Sequence, residues 1–252
     1  MISDDRLTAG LRESTARLAD VVASAGEATR IPTCPDWSLR QLATHVGRAH
    51  RWSGEMVNRR VTAMLPFRDA PDGKLPTDPA ARPGWLAAGA DRLADAVRQA
   101  GAEPVWTFTG MGPARFWLRR MAHETVVHSA DAELAVGRQV AIPADLAADG
   151  IAEWFEILSS DGDGQAPPLA EGKTLHVHAT DAGLDGTGEW LLSRTPPGLS
   201  VQAGHAKADA AVRGPAASLL LVLLRRLPPE TPGVEVLGDG SVLAQWLGNT
   251  RF

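Results

Sequence analysis

The 252-residue chain is 44% apolar and 22% charged, with a formal net charge of −5, the balance of a soluble globular protein long enough for one large or two modest domains. That acidic balance, with no Lys/Arg run, argues against a nucleic-acid partner, and no apolar stretch approaches the roughly 20 residues of a membrane span. The single cysteine, Cys34, excludes an internal disulfide and a cysteine-based zinc framework. The opening MISDDRLTAG is charged and lacks a signal peptide's apolar segment, so a cytoplasmic location is the expectation. Eight Trp beside no Tyr, in a chain rich in Ala, Gly, Arg and Pro, fits a GC-rich bacterial genome.

The first 160 residues read as helices. Leu7, Leu11, Leu18, Val21 and Val22 recur at helical spacing between about Asp4 and Ala25. The segment IPTCPDW reads as a turn, and Ser38 with Gln41 three residues on has the form of a capping box opening a second helix. Leu39, Leu42, Val46, Ala49, Ser53 and Met56 give that helix one buried face. A Pro-rich stretch from about Pro66 to Pro83 reads as a loop, with Pro83 placed in the first turn of a third helix carrying Trp85, Leu86, Leu93 and Val97. A fourth helix runs from about Pro113 to Val136. Four amphipathic helices of this size predict an antiparallel bundle. A fifth, near Ala144 to Ser159, either completes the bundle or leads out of it.

SSDGDGQAPPLAEGK is the strongest break in the chain, which places a helical domain at residues 1–160 and a second at 161–252. Beyond it the apolar period becomes two. TLHVHAT, GEWLLS, LSVQA, DAAVRG and VEVLGD read as strands, PAASLLLVLLRRL and SVLAQWL as helices. The prediction is a small α+β domain.

The stretch AHETVVHSAD, residues 122–131, resembles a zinc-protease signature with the wrong spacing. His123 and His128 are five apart, about 140° around a helix, whereas Glu124 and His128 are four apart and share a face. Trp117, Met121, Glu124, His128, Asp131 and Ala135 form one row that faces the interior, because the Trp and Met must be buried. An unpaired buried charge is costly, and a cation between Glu124 and His128 would relieve it. His45 on the second helix could supply a third ligand if the two helices are neighbours, giving two imidazoles, one carboxylate and an open position. Such a pair also commonly just hydrogen-bonds, and a lone His is more often structural; spacing leaves both readings open. Asp131 could orient an imidazole or pair with an Arg. His50 and His123 fall off the inner rows and are expected to be partly exposed.

IPTCPDWSLRQLATHVGRAHRW and RRMAHETVVHSADAELAVG together resemble the two signatures of the mycothiol-dependent maleylpyruvate isomerase family, a branch of the DinB-like four-helix-bundle metalloproteins. LHVHATD, ADAAVRGPAASLLLVLLRRLPP and VEVLGDGSVLAQWL resemble that family's C-terminal α+β domain, similar in kind to sterol-carrier folds. The resemblance covers nearly the whole chain in order. It implies a divalent metal, usually zinc, held by His45, Glu124 and His128, and mycothiol, the small thiol of actinobacteria, as co-substrate. It implies thiol addition to an electrophilic small molecule: in the named enzyme, addition to the cis double bond of maleylpyruvate, rotation, and elimination to fumarylpyruvate. A mycothiol S-transferase and a non-enzymatic metal-stabilised binding module are the alternatives. It also implies a substrate-gripping arginine in the second domain, for which Arg213, Arg225 and Arg226 are the candidates, since guanidinium forks match carboxylates. Monomer and homodimer are both compatible with the sequence.

Two further features compete for attention. Cys34, before Pro35, reads as a small residue in a turn rather than a nucleophile, and Asp36 and Trp37 as residues that shape that turn. His176 and His178 share one face of a strand; an exposed or interface face is the expectation, a metal pair the alternative.

Overall fold

Ser3 accepts a hydrogen bond from the Arg6 amide and opens α1 (Asp4–Ser24). Ser38 and Gln41 exchange both bonds of the expected capping box and open α2 (Leu39–Asn58). Pro83 sits in the first turn of α3 (Arg82–Ala100), and α4 spans Arg115–Ala135. The computed structural model describes residues 1–160, 168–184, 186–195 and 198–250, and divides the chain into two compact units, Met1–Ala141 and Ile142–Phe252. Among the described residues no helix is long and apolar enough to cross a membrane.

In the first unit, two helices run one way and two the other. Asp4 pairs with Arg115, and Arg17 lies 3.7 Å from Glu133, so α1 and α4 run side by side in the same direction. Gly47 meets Trp85 and Gly54 meets Leu93, so α2 and α3 are also parallel neighbours. Trp52 packs on Trp117 while His45 reaches Glu124, which makes α2 and α4 antiparallel. Parallel α2 and α3 require the chain to travel back along the bundle between them, and residues 59–81 do this, with short 3₁₀ turns at Phe67–Asp69 and Pro79–Ala81. The proline-rich stretch is thus a crossover connection. Gly47 permits the close approach: a Cβ there would stand 2.0 Å from the Trp85 ring.

Two small hairpins close the ends. β1 (Arg30–Ile31) pairs with β2 (Cys34–Ser38), where the sequence suggests only a turn, and β3 (Pro104–Thr107) pairs with β4 (Gly110–Pro113) between α3 and α4. Trp117 is the centre of the core at that end. It is fully buried, donates its Nε1–H to the Trp106 carbonyl at 2.8 Å, and has Trp52, Trp106, Phe108 and Phe116 around it.

In the second unit, α5 (Ala144–Ser160) comes first, and it packs on the helix Ala216–Leu223 and the strand Gly198–Ala203. Phe155 meets Trp190 and Trp246. The sequence break suggests a boundary after residue 160, whereas the compact units divide ahead of α5, after residue 141. Of the Gly/Pro-rich segment that suggested the break, residues 161–167 lie outside the described ones. The strands are β5 (Thr174–Ala179), β6 (Glu189–Thr195), β7 (Gly198–Ala203), β8 (Ala210–Gly214) and β9 (Glu235–Gly238), in the order β7-β6-β5-β8-β9. Only the β5–β8 pairing is parallel. Leu175, Val177, Leu192 and Val212 line the buried face, against α6 (Ala216–Leu223) and α7 (Gly240–Asn249). The period of two and the two apolar helices deliver the α+β domain the sequence predicts.

Candidate metal centre

Because α2 and α4 lie antiparallel, His45 crosses 79 positions of sequence to reach Glu124. Glu124 and His128, one turn apart, meet it from α4. The two imidazoles converge through the same atom type: His45 Nε2 is 3.1 Å and His128 Nε2 3.3 Å from Glu124 Oε1. The donor atoms of all three residues lie within 4.8 Å of one another. A tetrahedral ion with ligand bonds of about 2.0–2.1 Å separates neighbouring donors by roughly 3.3–3.4 Å. The trio therefore already has the spacing and the chemistry of a zinc ligand set, and a divalent cation fits it.

The surroundings fix each donor. His128 Nδ1 lies 2.9 Å from Asp131 Oδ2. Asp131 is fully buried and also accepts from the Thr33 hydroxyl at 2.6 Å. This geometry is the one the orienting reading expects: with Nδ1–H donated to a carboxylate, Nε2 is turned toward the cluster. Arg120, one turn before Glu124, pairs with Glu124 Oε2 and leaves Oε1 toward the histidines. The Trp37 ring lies tilted 4.8 Å from the His45 ring and 5.8 Å from that of His128, and Phe67 from the crossover stands 5.8 Å from His45. These residues make an apolar wall beside the imidazoles. Cys34 Sγ is 3.8 Å from the same Asp131 oxygen that faces His128, so the ligand-type atoms of Cys34, His128 and Asp131 also lie within 4.8 Å of one another.

The electrostatics follow from this crowding. Burial alone would raise the Glu124 pKa, but Arg120, then His128 and His45, outweigh it and hold the carboxyl well below its usual range. Burial would lower His128, yet the bonds to Asp131 and Glu124 carry it up to about 9. His128 thus lies between two carboxylates that favour its protonated form. A metal entering there displaces that proton.

Family models match both parts of the chain: the mycothiol maleylpyruvate isomerase N-terminal domain over residues 8–133, and the corresponding C-terminal domain over residues 145–245. The chain belongs to the mycothiol maleylpyruvate isomerase family. A crystal structure of the mycothiol-dependent maleylpyruvate isomerase matches with a TM-score of 0.62 at 18% identity, covering 93% of each chain. A mutant of that enzyme matches with the same TM-score at 17% identity and 93% coverage of each chain. At such identity the likeness is one of fold. A comparison with curated proteins gives no significant match.

The family reading sharpens what sequence reasoning missed. Trp37 and Phe67 flank the imidazoles, although Trp37 was expected only to shape a turn; both sit on segments without helical period. Arg120 was legible in principle, since it stands four residues before Glu124. His50 and His123, expected to be partly exposed, are buried at 0% and 2% exposure. For His50 the reason is that α2 packs on α3 and α4 together, which buries more than one row of its surface. His50 Nε2 lies 2.7 Å from the Thr125 hydroxyl, which itself donates to the Met121 carbonyl, so the imidazole nitrogen is the donor. Arg213 pairs across β8 and β9 with Glu235 at 3.3 Å. Arg225 adopts a positive φ of 60° just past α6, and Arg226 donates to the Leu224 carbonyl at 2.8 Å. The three arginines therefore do not share one element.

His50 gives a pH prediction. Burial, reinforced by the Arg51 charge, lowers its pKa to about 3, whereas in the unfolded chain it titrates near 6.5. The unfolded state thus binds one more proton between those values. Stability from this group is complete above pH 6.5 and is lost as the pH falls, at about 1.4 kcal/mol per unit. His50→Gln keeps a donor for Thr125 but cannot titrate. Urea midpoints measured from pH 7 to 4.5 will show the wild type losing stability more steeply than the variant; a pH-independent difference would contradict a neutral buried imidazole.

Proposed function

We propose that this chain is a metal-dependent, mycothiol-using enzyme acting on an electrophilic small molecule, by cis–trans isomerisation or thiol transfer. The convergence of His45 Nε2 and His128 Nε2 on Glu124 Oε1 carries the reading. These three residues would hold zinc, which supplies the Lewis acidity that makes a coordinated thiol a thiolate at neutral pH. Three protein ligands leave a position for a substrate, as catalytic rather than structural zinc sites do.

The chain's own residues contribute positioning. Asp131 holds the Nδ1–H of His128 and so keeps its Nε2 lone pair aimed inward. Arg120 pins the second oxygen of Glu124. Trp37 and Phe67 keep water from one side of the imidazoles. Arg213, Arg225 and Arg226 are the proposed anchors for anionic substrate groups.

The test is turnover with mycothiol, taking maleylpyruvate as the first electrophile and following free thiol beside product. An isomerase returns the thiol unchanged after each cycle, whereas an S-transferase consumes one per product. Zinc-loaded protein that neither binds mycothiol nor turns over any electrophile in its presence would refute the reading.

A further inference from the structure

A second group of ligand-type side chains lies in the second unit and shares no residue with the first. His176 and His178 stand two apart on β5, so their imidazoles rise from one face of the sheet. Glu189 on β6 is the direct cross-strand partner of His178. Past the end of β7, Gly204 turns at φ 109° and donates its amide to the Glu189 carbonyl at 3.0 Å, which delivers His205 over the same spot. The Glu189 carboxylate thus has His205 Nδ1 at 2.9 Å, His176 Nε2 at 3.3 Å and His178 Nε2 at 3.5 Å.

His176 adds an independent observation. It is 4% exposed, its Nε2 points at this carboxylate, and that nitrogen makes no hydrogen bond. A buried imidazole nitrogen without a bond costs on the order of 1–3 kcal/mol, and a metal ion would satisfy it.

We propose that His176, His178, Glu189 and His205 form a second metal site that binds a zinc ion. His176, Glu189 and His205 already hold their donor atoms within 4.8 Å of one another. His178, 3.5 Å from the other Glu189 oxygen, would complete a tetrahedral set by a side-chain rotation, and the ion would then be structural, tying β5, β6 and the turn after β7. Of the separations to Glu189, that of His176 at 3.3 Å matches the roughly 3.3–3.4 Å edge of a zinc tetrahedron, while that of His178 at 3.5 Å is longer and runs to the other oxygen. The third, to His205, is shorter, and His205 is the ligand with the freest side chain, 79% exposed. Burial lowers the His176 pKa, with the nearby Glu189 opposing it, which favours the neutral imidazole a metal needs. A cavity of about 200 Å³ lined by His178, Asp181 and Glu189 gives an ion access.

The experiment uses the full-length protein, stripped with a chelator and dialysed against zinc chloride, with bound zinc counted per chain. His128→Ala is expected to retain one equivalent, and His205→Ala in that background to weaken it at least a hundredfold. Zinc is expected to raise the melting temperature of His128→Ala and not that of the double variant. Because His205 is exposed, its loss spares the fold. No zinc uptake by His128→Ala, or uptake unaffected by both His205→Ala and Glu189→Gln, would overturn the proposal. Wild-type protein that binds a single equivalent, lost with His205→Ala but kept with His128→Ala, would support this site and refute the one on α2 and α4.

Discussion

Purified His128→Ala is expected to have lost the metal of the α2–α4 site, with affinity there reduced between about a hundredfold and a thousandfold. Zinc held by four ligands is worth roughly 10–16 kcal/mol, or about 3–4 kcal/mol per ligand, which converts to that range. Glu124→Ala is expected to be as severe, since its Oε1 is the point on which both imidazoles converge. Asp131→Asn keeps all three donors and loses only the orienting carboxylate, so its affinity should fall by about 10–100-fold. Cys34→Ser leaves the trio intact and offers Asp131 a hydroxyl in place of the thiol. It is expected to keep metal and activity, and loss of activity with metal retained would make Cys34 the nucleophile. Elemental analysis and competition with a coloured chelator read all four. The counts must be taken with the His176–Glu189 group in mind, by including His205→Ala in each background. A wild type that takes up no zinc when zinc is offered would leave the trio as a hydrogen-bonded structural cluster.

Trp117→Ala is expected to cost the first unit about 3–5 kcal/mol, the loss typical of a large aromatic removed from a packed core. Trp117 is fully buried, its ring is touched by four other aromatic side chains, and its N–H satisfies the Trp106 carbonyl. The surrounding rings come from α2, β3, α4 and the β3–β4 turn, and no single element can collapse to fill the hole. A fall in melting temperature of roughly 10 °C follows for a chain of this size. Phe108, half exposed at 51%, is the control: Phe108→Ala is expected to cost far less. Denaturant unfolding of both variants checks this, and a loss below about 1 kcal/mol at Trp117 would mean that the site repacks.

The elements themselves were legible where one physical signal dominated. Ser38 and Gln41 announce the start of α2, and Glu124 and His128 announce a shared helical face. The strands β5 to β9 follow from alternation and turn residues. What sequence could not supply was adjacency. His45 becomes a neighbour of Glu124 only because α2 lies beside α4, and nothing local to LATHVG says so. The helix directions were equally hidden, since an amphipathic pattern reads the same in either orientation. The hairpin β1–β2 was missed because strands of two and five residues with a proline show no period. The partners of α5 were hidden as well, because Trp190 and Trp246 come later in the chain than the Gly/Pro-rich break that follows it.

The crossover has a meaning for how such a molecule can change over time. The proposed ligands of the α2–α4 centre stand on packed helices, where a substitution disturbs many contacts at once. Phe67, by contrast, reaches the imidazole of His45 from residues 59–81, a connection outside the four helices. Connections of this kind tolerate insertion and replacement far better than the elements they join. Selection for a new electrophile can therefore rewrite the approach to the centre while the imidazoles and the carboxylate stay where they are. The scaffold separates what is free to drift from what has to be inherited.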